Sequence, residues 1–239
     1  MTSSPDVLVL SGRRLPRLSG VAFALLLLFA WFLSGGDAPD FTATDEVWID
    51  WADDNSQVSR IGGFLILLAG LALLHFAATI RSVLGSAEPR VRGSVDLARV
   101  AFAGAVVGGA GLAMAIVTVS SAIEAAGADV VVTRSVMAAS AGPYLVSAMG
   151  FTALLGAAGS STLRSRALPK WTAVVALIGA VGFLVAFLTL IAGLGNDSVF
   201  GLGFLPGILA LVIWSIATSV ASYRATLAQA VYSTAALER

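Results

Sequence analysis

The residues of this 239-residue chain that could do chemistry are few and scattered. His75 is the sole histidine, and there is no cysteine. Disulfides, thiolate metal sites and thiol nucleophiles are therefore excluded. One histidine cannot make an H-E-x-x-H zinc site, nor the axial pair of a b-type haem within one chain. Ser140-Ala141-Gly142 is a poor version of the G-x-S-G turn of intramembrane serine proteases, and the histidine precedes it. The apolar stretches hold no aspartate for an aspartyl protease, and Lys170 sits at the edge of its stretch, where no retinal Schiff base would be buried. The expectation is a protein that is not an enzyme, with no catalytic residue, no metal and no cofactor.

Three polar residues remain as candidate ligands: His75, Glu124 and Arg134. His75 falls in the second half of a long apolar stretch, and an ionisable group at membrane depth is a functional candidate by default. The plainer reading is an interhelical hydrogen bond, worth about 0.6–2 kcal/mol. Glu124 ends one stretch and Arg134 begins the next, with Asp129 between them. A Glu124–Arg134 pair is expected to close that hairpin at a value of about 0–1 kcal/mol. Upstream, Asp37–Gln57 carries Asp37, Asp40, Asp45, Glu46, Asp50, Asp53 and Asp54 and no basic residue. It reads as a solvated cap; the sharper reading is a cation site or docking surface, although D-x-D-x-D-G spacing is missing. Thr44 is placed to N-cap a helix with Asp45 and Glu46 in its first turn. Val47, Trp48 and Trp51 give that helix an apolar side. It is expected to run into the following stretch, with both tryptophans at the headgroup boundary.

The elements that must position these residues are membrane spans. The chain is 58% apolar and 12% charged, with a mean hydropathy of +0.92. A spanning helix needs about 20 apolar residues to cross about 30 Å of hydrocarbon. Six stretches come close: 15–33, 61–84, 100–123, 135–160, 171–194 and 200–223. The fold expected is an all-α polytopic bundle of six transmembrane helices, a single integral membrane domain over 1–239. Its outer loop, 34–60, carries one short helix before the second span. Twelve Lys and Arg residues fall on one side and two, Arg60 and Arg134, on the other. That excess puts both termini in the cytoplasm. Arg13-Arg14 and the run Val21–Leu33 also resemble a signal peptide, but no A-x-A site follows, so a retained anchor is expected. Net charge is zero, which gives no electrostatic case for nucleic acid. Arginine outnumbers lysine thirteen to one, a bias that suggests a high-GC bacterial genome and hence a bacterial cell membrane.

Packing signals are concentrated in the third stretch. Gly104 and Gly108 form a GxxxG, followed by Gly109 and Gly111, and small residues let helices approach closely in lipid. The face serves packing inside the bundle or, in the sharper reading, a dimer. Pro143 and Pro206 are expected to kink the fourth and sixth spans. Two such kinks in the outer halves would frame an outward cavity. The basic inner loop Gly85–Ala98, the turn Arg164–Trp171 and the outer turn Asn196-Asp197 complete the pattern.

Three segments together carry a resemblance: T-D-E-V-W-I-D-W before the second span, L-L-H-F-A-A-T-I-R-S-V-L ending it, and R-A-L-P-K-W before the fifth. Over about Thr44 to Tyr223 the chain resembles uncharacterised six-span membrane proteins common in actinobacteria, a domain-of-unknown-function group. That resemblance implies a topology and brings no substrate or catalytic residue. The function expected is a non-enzymatic scaffold or accessory subunit of the cell membrane. Its partners would be membrane lipids and a membrane protein or a second copy of the chain. The alternative is a small permease or channel for a small or apolar solute, its path lined by Pro143, Pro206 and His75. A cavity reaching His75 would favour the permease. A dry bundle with the Gly104–Gly111 face exposed would favour the scaffold.

Overall fold

The computed structural model describes residues 18–33, 39, 42–87, 96–126, 129–191 and 199–237, and among them there is no strand. Seven helices follow one another: α1 (Ser19–Leu33), α2 (Asp45–Ala87), α3 (Leu97–Ala125), α4 (Val130–Ala139), α5 (Ala141–Ser165), α6 (Lys170–Ile191) and α7 (Val199–Leu237). Five runs are long and apolar enough to cross a membrane, with α4 and α5 counted as one. The remaining helix, α1, is apolar but only 15 residues long. At 1.5 Å per residue it spans about 22 Å, less than the hydrocarbon thickness of about 30 Å.

Each long helix packs on the next, and the contacts close into a cycle: α1 on α2, α2 on α3, α3 on α5, α5 on α6, α6 on α7, and α7 back on α1. The short α4 lies against α3 and α5. Aromatic rings bridge helices that are not neighbours in the cycle. Phe76 of α2 meets Trp214 of α7 edge-on at 5.4 Å, and Tyr144 of α5 meets Phe204 of α7 at 5.9 Å. Phe183 of α6 joins Phe204 at 5.6 Å. The interior of the cycle is therefore filled by side chains.

The segment boundaries have local causes. α2 runs 43 residues without a break, merging the expected outer helix with the second span. Asn55 and Ser56 do not interrupt it because each bonds its own helix, Asn55 to the Trp51 carbonyl and Ser56 to that of Asp53. Asp96 caps α3 by accepting from the Arg99 amide, and Asp129 caps α4 by accepting from Val131 and Val132. The fourth span is interrupted at Ser140. A proline crowds the carbonyl four residues back, and for Pro143 that residue is Ala139, where α4 ends. Pro206 lies inside α7, and its side chain is exposed on the outer surface. The two prolines therefore do not frame a common cavity. α7 also continues well past the expected end at 223, as helix to Leu237.

The turn from α5 to α6 is tight. Arg166 adopts a left-handed conformation, φ 54°, and its amide bonds the Thr162 carbonyl. Leu168 tucks into the core, and Thr172 bonds back to the Pro169 carbonyl through both amide and hydroxyl.

Candidate functional site

His75 and Phe76 are adjacent in sequence and sit on different faces of α2. Phe76 is 1% exposed in the core. His75 is exposed on the perimeter, beside the exposed Leu71 and Leu74. Its Nδ1 lies 2.9 Å from the Leu71 carbonyl oxygen. A carbonyl only accepts, so Nδ1 donates there, and in the neutral ring Nε2 is then the acceptor. The interhelical bond expected of His75 is thus replaced by a bond within its own helix. His75 lies 14 residues beyond Ile61, about 21 Å along the helix axis.

The two charged candidates have exchanged partners. Arg60 pairs with Glu124 at 3.3 Å, and Arg134 pairs with Asp45 at 2.9 Å. The expected Glu124–Arg134 pair is not formed. The cause is the length of α2: it passes the end of α3, where Arg60 meets Glu124, and continues until its first turn reaches α4. Arg134 also donates to the Ala43 carbonyl and lies over the Trp48 ring, 5.9 Å from its centroid.

Beneath Arg134 lies a small second core. Trp48 is completely buried and meets Trp51 edge-on at 5.7 Å. Ala52 packs with Ile123 and Ala126. Trp48 is thus held inside the protein, 13 residues before Ile61, about 20 Å along the axis. The carboxyl of Glu46 is held below its ordinary value by its own backbone amide and by the Thr44 hydroxyl. Among the described residues no three acidic or histidine side chains gather closely enough to hold a metal. Asp37 and Asp40 lie outside the described residues, as do most of the basic inner loop (Glu88, Arg90, Arg92) and Asn196-Asp197.

The glycine candidates divide. Gly104, Gly108 and Gly111 face α5 inside the bundle, where added Cβ atoms would strike Leu154, Phe151 and Ser147. Gly109 faces Leu73 of α2. The Gly104–Gly111 stripe is therefore internal packing between α3 and α5 and not an exposed dimer face.

Sequence reasoning missed two features. One is a second glycine contact between α6 and α7, where Gly182 meets the backbone of Gly203 and Gly207. Its signal was present as Gly203-Phe-Leu-Pro-Gly207, itself a GxxxG. The other is a belt of buried hydroxyls at one end of the bundle: Ser161, Thr162, Thr172, Ser215, Thr218 and Ser219. Ser215 and Thr218 are satisfied by carbonyls of their own helix. Serines and threonines three or four apart near the ends of apolar runs were the available signal.

Among the described residues, two surface hollows stand out. One, of about 340 Å³, lies along Val174, Leu177, Ile178 and Val181 of α6 and is wholly apolar in lining. The other, of about 310 Å³, runs between α2 and α3 with the Arg60–Glu124 pair at its rim. Both lie on the perimeter.

An apolar bundle with a filled interior and an apolar outer surface is an integral membrane protein by class. Comparison of the chain with protein-family profiles, with curated proteins and with solved structures finds no match to any of the three.

Proposed function

We propose that the chain is a non-enzymatic scaffold or accessory subunit of a bacterial cell membrane. In this reading α1 is a sixth, retained span, both termini are cytoplasmic, and the acid-rich end of α2 stands outside. The resemblance to the six-span actinobacterial group belongs to the same reading. The Gly104–Gly111 face is internal and lends it no support; the observation that carries it is His75 on the perimeter, whose Nε2 has no partner among the described residues. A polar group turned toward hydrocarbon calls for a partner from a neighbouring helix. Two copies paired through this nitrogen would oppose acceptor to acceptor. The partner suited to His75 is therefore a different helix carrying a hydroxyl, amide or indole donor. The interior aromatic cluster speaks against a permease, because His75, Pro143 and Pro206 share no path.

The absence of native cysteine makes the test direct. Leu71→Cys, one turn from His75 on the exposed side, is the only thiol in its variant. In native membranes a thiol-anchored benzophenone, which inserts into nearby C–H bonds on irradiation, is expected to join it to another membrane protein, and His75→Ala in the same background to weaken the product several-fold. Ile178→Cys, on the exposed face of α6, serves as the control. Equal crosslinking from both positions, or none from Leu71→Cys, would sink the proposal.

A further inference from the structure

The hollow between α2 and α3 combines two kinds of surface. Phe64 and Leu67 of α2 and Ile116 and Val117 of α3 form apolar walls. Gly63 brings the helices together, an added Cβ there lying 3.3 Å from Ile116 and 3.4 Å from the Ser120 hydroxyl. At the open end Ser120 and Ser121 line the hollow beside Arg60 and Glu124. The ion pair uses Arg60 Nε and Glu124 Oε1. Both Nη groups and Oε2 are left without partners among the described residues. Both side chains are largely exposed, 68% and 58%, so their charges remain open to a ligand.

The placement matches a lipid. The apolar run of α2 begins at Ile61, so Arg60 and Glu124 stand at headgroup level. Arg60 to Leu67 covers about 10 Å of helix, a depth suited to the upper part of an acyl chain. A cation and an anion at the same level complement a headgroup that itself carries both signs. Arginine suits a phosphate oxygen, and the carboxylate suits an ammonium. A net-anionic lipid would meet Glu124 of α3, with the acids Asp50, Asp53 and Asp54 further along α2. The geometry points to a phospholipid with a primary-ammonium headgroup, of the phosphatidylethanolamine type, held with one acyl chain in the α2–α3 hollow. This rests on the membrane reading above and is independent of the scaffold role.

The test is native mass spectrometry of the full chain released from nanodiscs of equal phosphatidylethanolamine and phosphatidylglycerol. One retained phosphatidylethanolamine per chain is expected, preferred about five-fold, which is ~1 kcal/mol and the upper scale of an exposed ion pair. Arg60→Gln should lower retention of both lipids. Glu124→Gln should instead shift the preference toward phosphatidylglycerol. A merely structural ion pair would make these two variants behave alike, and that result would overturn the inference. Ser121→Phe, which fills the hollow from its exposed rim, should remove the retained lipid while leaving thermal stability close to wild type. Retention unchanged in Ser121→Phe, or no headgroup preference in wild type, would also overturn it. Failure of the protein to enter nanodiscs at all would instead refute the membrane reading.

Discussion

Two glycine-lined contacts hold the bundle, and they are built alike. Between α3 and α5, Gly150 sits against the backbone of Gly108 and Gly104. Between α6 and α7, Gly182 sits against the backbone of Gly203 and Gly207. In each contact a phenylalanine from one helix lies over a glycine of the other, Phe151 over Gly108 and Phe183 over Gly207. The two phenylalanines then meet each other at 5.2 Å. Glycine therefore does two jobs here. It lets backbones touch where lipid supplies no hydrophobic drive, and it seats a ring that ties one contact to the other.

The largest expected effects break a contact outright. Gly150→Leu and Gly182→Leu each place side-chain atoms where a neighbouring backbone stands, and backbone cannot step aside as a side chain can. Each should cost on the order of 3 kcal/mol or more, seen as loss of the folded band in a detergent unfolding assay. Gly70→Leu is the matched control, because nothing lies within 4 Å of a Cβ there. It should not destabilise, and the propensity of leucine over glycine should add up to about 1 kcal/mol. Comparable losses at Gly70 and Gly150 would refute the division into contact and perimeter.

The link between the contacts comes next in size. Phe151→Ala and Phe183→Ala should each cost on the order of 2 kcal/mol, because the cavity cost survives in lipid while transfer from water does not apply. If the rings join the two contacts, the double variant should cost less than the sum by about 1 kcal/mol. Strict additivity would mean two independent contacts that merely resemble each other.

The two contacts differed sharply in how legible they were. Gly104 and Gly108 stand in a run of small residues, so their spacing was conspicuous, though whether the face looked inward or outward was not. Gly203 and Gly207 have the same spacing, but Pro206 between them drew attention to a kink. The ion pairs were misread for a related reason. Sequence proximity favoured Glu124 with Arg134, whereas partner choice follows the reach of α2, a tertiary fact. The side of α2 that His75 occupies was not legible. Almost every residue near it is apolar, so no polar face marks which side meets lipid, and only the packing of Phe76 decides. The α-helical class and the presence of helices long and apolar enough to cross a membrane were legible because hydrocarbon thickness dictates their length directly.

The segment joining the two contacts offers a smaller test. α5 belongs to one and α6 to the other, and Arg166 turns the chain between them at φ 54°. A side chain in that conformation costs about 1–2 kcal/mol, a strain that glycine avoids. Arg166→Gly should therefore be stabilising by about 0.5–1 kcal/mol once the entropy of glycine in the unfolded chain is included. A marked loss of stability would show that the guanidinium, and not the backbone, holds the turn.

The finest contrast lies between adjacent residues of α3. A Cβ on Gly108 would meet the Phe151 ring at 2.7 Å, and a Cβ on Gly109 would meet only the end of Leu73 at 3.0 Å. Phe151 is pinned by Phe183 and cannot retreat, whereas a leucine methyl can rotate. Alanine gains up to about 1 kcal/mol over glycine in a helix interior. At Gly109 that gain should outlast the small adjustment of Leu73, so Gly109→Ala should raise stability by about 0.5 kcal/mol or leave it level. At Gly108 the same substitution must displace a ring shared by both contacts, so Gly108→Ala should be destabilising despite the identical gain in propensity. Equal effects at the two positions in a thermal melt would mean that Phe151 is not fixed, and the tie between the two contacts would lose its basis.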